Sequence, residues 1–409
     1  MRSVRGTSSV VRGAWYVVRG ILLVGLSQLA PARAGAQTYA AVLDLAGGPL
    51  YFTLKTEARG PKHEARICTG PDCIPATWTR DVDSLRLAIP DYDAVMVAAV
   101  RDDSLDGYYH NVGRLGPRTV PFRAERRPDE RIRRPRLRAI YGSWDVTFTT
   151  DGRTSPRVFD IHDGAEGMEA AILSNTGDYG RFTGRVEGDS ARFSHFDGSF
   201  IYMFTARLDG DTLRGTFNAG LRTQTPFTAV RSTGRPHLAS PEAMTQADTA
   251  PFRFAFRDLD GRLVTQDDPR FRGKVVIVDL FGTWCPNCHD AAVGLKELYR
   301  KYHPRGLEVL GLAYEVSGDT ATDARLVRIF RDQLGLGWPL LLAGRPVAED
   351  QNATQPQLVN FTAFPTTLFL GKDGRIRRTH AGFYGPATGA AHDQLLREFS
   401  HEVEALLAE

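Results

Sequence analysis

Near residue 251 the hydrophobic period of this chain changes, and that change limits the folds open to it. Between residues 37 and 231, apolar side chains alternate with polar ones in short runs such as Tyr51-Phe-Thr-Leu-Lys55 and Trp144-Asp-Val-Thr-Phe-Thr149, separated by Gly, Asp and Asn turns. A period of two is the signature of half-buried strands. Beyond 251, strand and helix patterns alternate instead. Lys274-Val-Val-Ile-Val-Asp-Leu-Phe281 and Leu307-Glu-Val-Leu-Gly-Leu-Ala-Tyr314 read as strands buried on both faces. Ala291, Ala292, Leu295, Leu298 and Tyr302 recur at helical spacing. Thr322–Leu334 predicts a second helix, and Leu395, Leu396, Phe399, Val403 and Leu406 a closing one. A hairpin is expected at Thr366–Leu370 and Ile376–His380, around Lys372-Asp-Gly374. The expectation is a multi-domain chain, with a β-rich region over 37–231 followed by an α/β domain over 251–409. A length of 409 residues leaves room for two or three domains.

The β-rich region repeats itself. Ser84-Leu-Arg-Leu87 answers Ser190-Ala-Arg-Phe193, and Leu105-Asp-Gly-Tyr-Tyr109 answers Leu213-Arg-Gly-Thr-Phe217. Pro121-Phe-Arg-Ala-Glu-Arg126 likewise answers Pro226-Phe-Thr-Ala-Val-Arg231. These matches predict two related β units, split near the arginine-rich stretch 126–138. Gly142-Ser-Trp144, opening the second unit, resembles the Gly-x-Trp start of lipocalin-like barrels; Trp144 also reads simply as a core aromatic. Residues 232–250, without clear periodicity, are expected to be a linker.

At the N-terminus, arginines scattered through residues 1–19 precede the apolar run Gly20–Ala30 and the small-residue sites Ala32-Arg33-Ala34 and Ala34-Gly35-Ala36. This predicts a signal peptide over 1–36 and a periplasmic or secreted protein. A membrane anchor formed by the uncleaved signal is the alternative; Arg19 interrupts it, and it is short for a span of about 20 apolar residues. Residues 1–36 hold five arginines and no acid, so the net charge of +3 becomes −2 without them. A near-neutral remainder gives no electrostatic reason to expect nucleic acid as a partner. With 42% apolar and 24% charged residues, the chain is neither disordered throughout nor a polytopic membrane protein.

The four cysteines fall in two close pairs. Cys68-Thr-Gly-Pro-Asp-Cys73 encloses a turn, so a local structural disulfide is geometrically easy, and oxidising surroundings favour it. A second redox pair that relays electrons to the first is the alternative. Trp284-Cys285-Pro286-Asn287-Cys288 sits where the central strand ends and the first long helix begins. Two cysteines at that spacing on a helix start can close a disulfide with little backbone movement. Unpaired helix N–H groups favour a thiolate on the first, while the second lies deeper. The expectation is an exposed attacking Cys285 and a protected resolving Cys288.

The stretch from Gly273 through Cys288 resembles the active-site strand and turn of thioredoxin-fold proteins, and is most similar to the TlpA/ResA-like thiol–disulfide oxidoreductases. Phe364-Pro-Thr-Thr-Leu-Phe-Leu370 resembles that family's cis-proline loop and following strand. The likeness covers 251–409 only. It implies that Cys285 is the nucleophile and Cys288 the resolving thiol, that Pro365 is a cis-proline facing them, and that the backbone at Phe364 pairs with extended substrate. It further implies that Trp284 shields the thiols. Asp279 matches the buried aspartate of thioredoxins, where desolvation raises a carboxyl enough to accept a proton from Cys288; a strand-end aspartate reaching water is the other reading. Glu315 falls near the family's acidic residue, although that residue lies in a Gly-Glu-Ser context and this chain reads Tyr314-Glu-Val-Ser317. The implied partners are disulfide-containing protein substrates and a membrane electron donor that keeps the dithiol reduced. No cofactor and no metal are called for.

Other chemistries compete for the same residues. Cys285-Pro-Asn-Cys288-His289 also spells a c-type haem attachment pattern, and a zinc site would need further paired ligands that Cys68 and Cys73 do not supply. Peroxiredoxins share the fold and the Phe271-Arg-Gly-Lys274 lead-in, but they place threonine three residues ahead of a single reactive cysteine, where this chain has Gly282. A last alternative makes the β region a binding module, with a pocket lined by Tyr108, Tyr109, Phe200 and Tyr202.

Overall fold

Alternation closes the N-terminal strands into barrels. In the first strand Tyr39, Ala41 and Leu43 are buried, and in the next Phe52 and Leu54, so one face is apolar throughout and the sheet curls until that face is enclosed. The structure is a computed structural model describing residues 36–409 apart from 60–61, 114–115, 128–134, 151, 166, 222 and 234–236. The signal-peptide reading, residue 36 excepted, and the middle of the stretch 126–138 lie outside the described residues.

The first closed barrel comprises β1 (Gln37–Leu45), β2 (Gly48–Arg59), β3 (Lys62–Thr69), β4 (Asp72–Asp81), β5 (Ser84–Ile89), β6 (Ala94–Arg101), β7 (Ser104–Gly113) and β8 (Gly116–Arg127). β8 returns to pair antiparallel with β1, placing Phe122 opposite Leu43. The second comprises β9 (Gly142–Thr150), β10 (Arg153–Asp163), β11 (Met168–Ser174), β12 (Gly177–Glu187), β13 (Ser190–Phe196), β14 (Ile201–Asp209), β15 (Thr212–Ala219) and β16 (Thr223–Arg231). It closes through β16 against β9, with Phe227 opposite Phe148. These are two eight-stranded antiparallel, lipocalin-like barrels. The internally matched segments fall on β5 and β13, β7 and β15, and β8 and β16, which are the fifth, seventh and eighth strands of each.

Both interiors are filled with side chains. Leu43, Leu87, Met96 and Tyr109 are buried in the first, and Phe159, Phe182, Phe193 and Phe204 in the second. The rings of Phe193 and Phe204 stack 4.5 Å apart. Trp144 is a core aromatic: its indole N–H donates to the Ile140 carbonyl at 2.8 Å, and the Arg231 guanidinium lies 4.0 Å from its ring centre. The end of β13 joins the two barrels. Phe196 packs 5.0 Å from Phe52, the Thr69 hydroxyl donates to the Phe196 carbonyl at 3.0 Å, and the Tyr109 hydroxyl donates to Gly198 at 2.8 Å.

The remaining elements are α1 (Pro241–Met244), β17 (Gln246–Ala247), β18 (Ala255–Asp258), β19 (Leu263–Thr265), β20 (Val275–Phe281), α2 (Pro286–Tyr302), β21 (Leu307–Tyr314), α3 (Thr320–Leu334), β22 (Leu340–Gly344), α4 (Ala348–Thr354), β23 (Leu358–Val359), β24 (Thr366–Leu370), β25 (Ile376–Ala381) and α5 (Ala390–Ala408). Seven strands form one sheet in the order β19-β18-β22-β21-β20-β24-β25, with β20, β21 and β22 parallel, β24 antiparallel to β20, and β25 antiparallel to β24. This is a thioredoxin fold. Every residue of the central β20 is buried, which is why its sequence, Asp279 excepted, runs apolar without alternation. Among the described residues, no helix is long and apolar enough to cross a membrane.

The stretch read as a linker is partly anchored. α1 packs on β25, β17 pairs with β23, Thr245 is fully buried, and Glu242 forms an ion pair with Arg378 at 2.6 Å. A four-residue helix and a two-residue strand are too short to show a period, so the sequence pattern cannot reveal them.

Candidate active site

β20 ends at Phe281, and after four residues the chain turns into α2. Cys285 is the cap residue of that helix and Pro286 its first residue, where a missing N–H costs nothing. The Cys288 N–H donates to the Cys285 carbonyl at 3.0 Å, stacking the two cysteines on the first turn. Neither forms a disulfide. Burial pushes the Cys288 thiol well up, and the neighbouring Cys285 and then Asp279 push it further. Asp279 lies on β20 and is 3% exposed; its Oδ1 has no hydrogen-bond partner among the described residues. Desolvation raises its carboxyl to about 7. A carboxyl poised there, with its charge felt at Cys288, can take and return a proton near neutrality.

Glu315 follows β21 and is 1% exposed, but its carboxylate is committed elsewhere. One oxygen accepts from the Thr283 N–H at 2.8 Å and the other from the Thr283 hydroxyl at 2.7 Å. It therefore buttresses the turn two residues before Cys285, and burial raises it to about 8. The Trp284 indole N–H donates to the Tyr314 carbonyl at 2.8 Å, and its ring meets Phe364 edge-on at 5.6 Å. The Phe364–Pro365 peptide is cis, and the Cys285 thiol donates to the Phe364 carbonyl at 3.5 Å.

One expectation needs correction. Cys285 is 3% exposed, so the attacking thiol is not on the surface. The barrels cover this face. Ser199 donates its hydroxyl to the Trp284 carbonyl at 3.1 Å. The Asn287 amide donates to the Asp178 carbonyl at 3.0 Å and to the Phe383 carbonyl at 3.1 Å. Tyr384 reaches the Ser174 carbonyl at 3.2 Å, and the ring of Tyr92 packs 4.9 Å from that of His289. None of Ser199, Asp178 or Tyr92 was marked by a motif; each meets the site through contacts of long sequence separation that no local pattern carries.

The competing readings meet specific obstacles. His289 is held between Tyr92 and Phe330, its Nε2 lies 2.9 Å from the Thr283 carbonyl, and burial lowers it to about 4, so its imidazole is already engaged. A Cβ on Gly282 would come within 2.2 Å of the Trp284 indole nitrogen, so the peroxidase threonine does not fit there. The four aromatics Tyr108, Tyr109, Phe200 and Tyr202 do not share a pocket. Tyr108 is 52% exposed, Tyr109 belongs to the first barrel's core, and Tyr202 packs on Tyr179 and Phe217. Among the described residues, no group of three or more His, Cys, Asp or Glu could hold a metal ion. Away from the site, Cys68 and Cys73 face each other on β3 and β4 and are disulfide-bonded.

Residues 247–379 match the AhpC/TSA family model. Thiol-disulfide oxidoreductase ResA of Bacillus thuringiensis (strain Al Hakam) is 30% identical over 139 residues, covering 34% of this chain and 71% of its own. The protein of the same name from Bacillus anthracis shows the same identity and coverage. A solved thiol:disulfide interchange protein from Chlorobium tepidum TLS is 20% identical with a TM-score of 0.30, covering 40% of this chain and 97% of that one. By its relatives, this chain belongs to the ResA family of thiol–disulfide oxidoreductases.

Proposed function

We propose that the protein is an extracytoplasmic disulfide reductase acting through a mixed disulfide on Cys285. The observation that carries this reading is the pair of unbridged thiols on the first turn of α2, with the unpartnered carboxyl of Asp279 acting on Cys288. The Cys285 thiolate attacks one sulfur of a substrate disulfide; a new S–S bond forms to Cys285, and the substrate's other sulfur leaves as a thiolate. Asp279 takes the proton from Cys288, which attacks Cys285 and expels the second substrate thiolate. Substrate gains two electrons, and the Cys285–Cys288 disulfide is left to be reduced by a membrane electron donor. Pro365 and Phe364 present backbone to the extended substrate, and Trp284 shields the thiols. We assign the chemistry to residues 251–409 and a covering role to the barrels of 37–231, with the Cys68–Cys73 disulfide structural.

The Cys288→Ala variant tests this, because without a resolving thiol the mixed disulfide persists. Incubation with an oxidised protein substrate such as insulin should leave a covalent adduct on Cys285 that dithiothreitol releases. If no adduct forms while wild-type protein also fails to reduce insulin, the reading is wrong. Reduction of hydrogen peroxide faster than of insulin would favour the peroxidase alternative instead.

A further inference from the structure

Where the two barrels meet the start of α2, a cavity of about 430 Å³ opens beside Pro286 and Asn287, the two residues between the cysteines. Four aspartates line it: Asp72, Asp91, Asp197 and Asp290. Two are already paired, Asp72 with Arg181 at 2.8 Å and Asp197 with His195 at 3.1 Å. The other two form no ion pair among the described residues. Asp91, on the turn Pro90–Tyr92, is 9% exposed, and its Oδ1 has no hydrogen-bond partner among the described residues. Burial raises Asp91 to about 6, and burial with the charges of Asp178, Asp72 and Asp197 raises Asp290 well above the usual range. Leaving a carboxyl unpartnered is costly unless something supplies a donor. Tyr92, Tyr179 and Phe200 also line the cavity, and aromatic rings offer faces on which a flat cation can stack. The rim residues Asp72 and Cys73 are exposed, so the cavity can be reached from solvent.

We propose that this cavity binds the basic side chain, arginine above others, of a cystine-containing peptide, so that the barrels select substrates carrying positive charge beside the disulfide. The guanidinium supplies donors to Asp91 and Asp290 and stacks on the aromatic wall, holding the neighbouring disulfide close to the dithiol. The inference rests on the reductase reading for its substrate, but the binding step is independent of it.

The test uses the full chain with Cys285→Ser and Cys288→Ser, so that no exchange occurs, and calorimetry with N-butylguanidinium and its neutral isostere N-butylurea. The cation should bind at least about tenfold tighter, as expected for charge-assisted hydrogen bonds, and Asp91→Asn should remove that advantage. Equal affinity of the two probes in the chain with native acids overturns the proposal without need of an acid variant. So does a cation preference that survives both Asp91→Asn and Asp290→Asn. In the redox-active chain, a cystine peptide with arginine next to the disulfide should show a kcat/KM at least about tenfold above its citrulline counterpart; equal values would overturn the proposal that the site selects substrate. Turnover of the neutral hydroxyethyl disulfide by wild type reports the dithiol chemistry separately. Its absence alongside intact cation binding would remove the reductase reading and leave the cation site standing.

Discussion

Ser199, in the loop after β13, donates its hydroxyl to the carbonyl of Trp284 at 3.1 Å, joining a barrel to the residue before Cys285 across 85 positions of sequence. That hydrogen bond, with those from Asn287 and Tyr384, makes the barrels a cover over the dithiol. A covered nucleophile reacts only when the cover opens.

Alkylation should therefore be gated. Cys285 in the reduced full chain should react with iodoacetamide more slowly than an unhindered thiol. Ser199→Ala removes one hydrogen bond of about 1 kcal/mol and should raise the open population, and the rate, about fivefold. Mass spectrometry of the modified peptide reads the result. A wild-type Cys285 that reacts as fast as a free thiol would contradict the covered site.

Asp279 should control resolution. Its carboxyl accepts a proton only when ionised, so the rate of mixed-disulfide resolution should climb with pH through about 7. Asp279→Asn should slow that step by about 10²–10⁴-fold and abolish the inflection, leaving adduct formation far less affected. Glu315→Gln is the comparison, because that carboxylate holds Thr283. If stopped-flow traces show only Glu315→Gln slowing resolution, the proton route lies elsewhere.

The same carboxyl makes stability depend on pH. Unfolded, it ionises near 3.8; folded, at about 7. Between those values the folded chain holds the extra proton, so this contribution is complete below about 4 and lost as pH rises through about 7, at about 1.4 kcal/mol per unit. From pH 5 to pH 7, wild type should lose at least about 1 kcal/mol relative to Asp279→Asn in urea unfolding. Parallel curves for the two proteins would show that Asp279 is ionised throughout.

The disulfide across β3 and β4 should act locally. It closes a short loop, for which chain entropy gives about 2 kcal/mol. Replacing both Cys68 and Cys73 by Ala should lower stability by that amount while leaving insulin reduction within about twofold of wild type on the structural assignment. A loss of turnover with the fold intact would reveal a redox relay.

Much of the C-terminal fold was readable because its signals are local. The run Val275–Phe281, apolar but for Asp279, marks a strand buried on both faces, and the helical spacing of Ala291, Ala292, Leu295, Leu298 and Tyr302 marks the helix after it, so the dithiol could be placed at their junction from the sequence. The barrels were readable as alternation and as an internal repeat, with closure signalled only by the resemblance of Gly142-Ser-Trp144 to the start of lipocalin-like barrels. Closure depends on β8 finding β1, a pairing between the ends of a unit that no window of sequence contains.

What the sequence determined by itself is whatever period, turn chemistry and residue spacing encode: strand and helix types, the paired cysteines, and the buried aspartate six positions ahead of the first thiol. Tertiary structure alone decided which surfaces meet. It covered Cys285, turned Glu315 toward Thr283, and gathered Asp91, Asp197 and Asp290 around one cavity. Burial and long-range hydrogen bonds arise from the shapes of completed domains, and a residue such as Ser199 has no local feature that distinguishes it from any other loop serine until Trp284 is beside it.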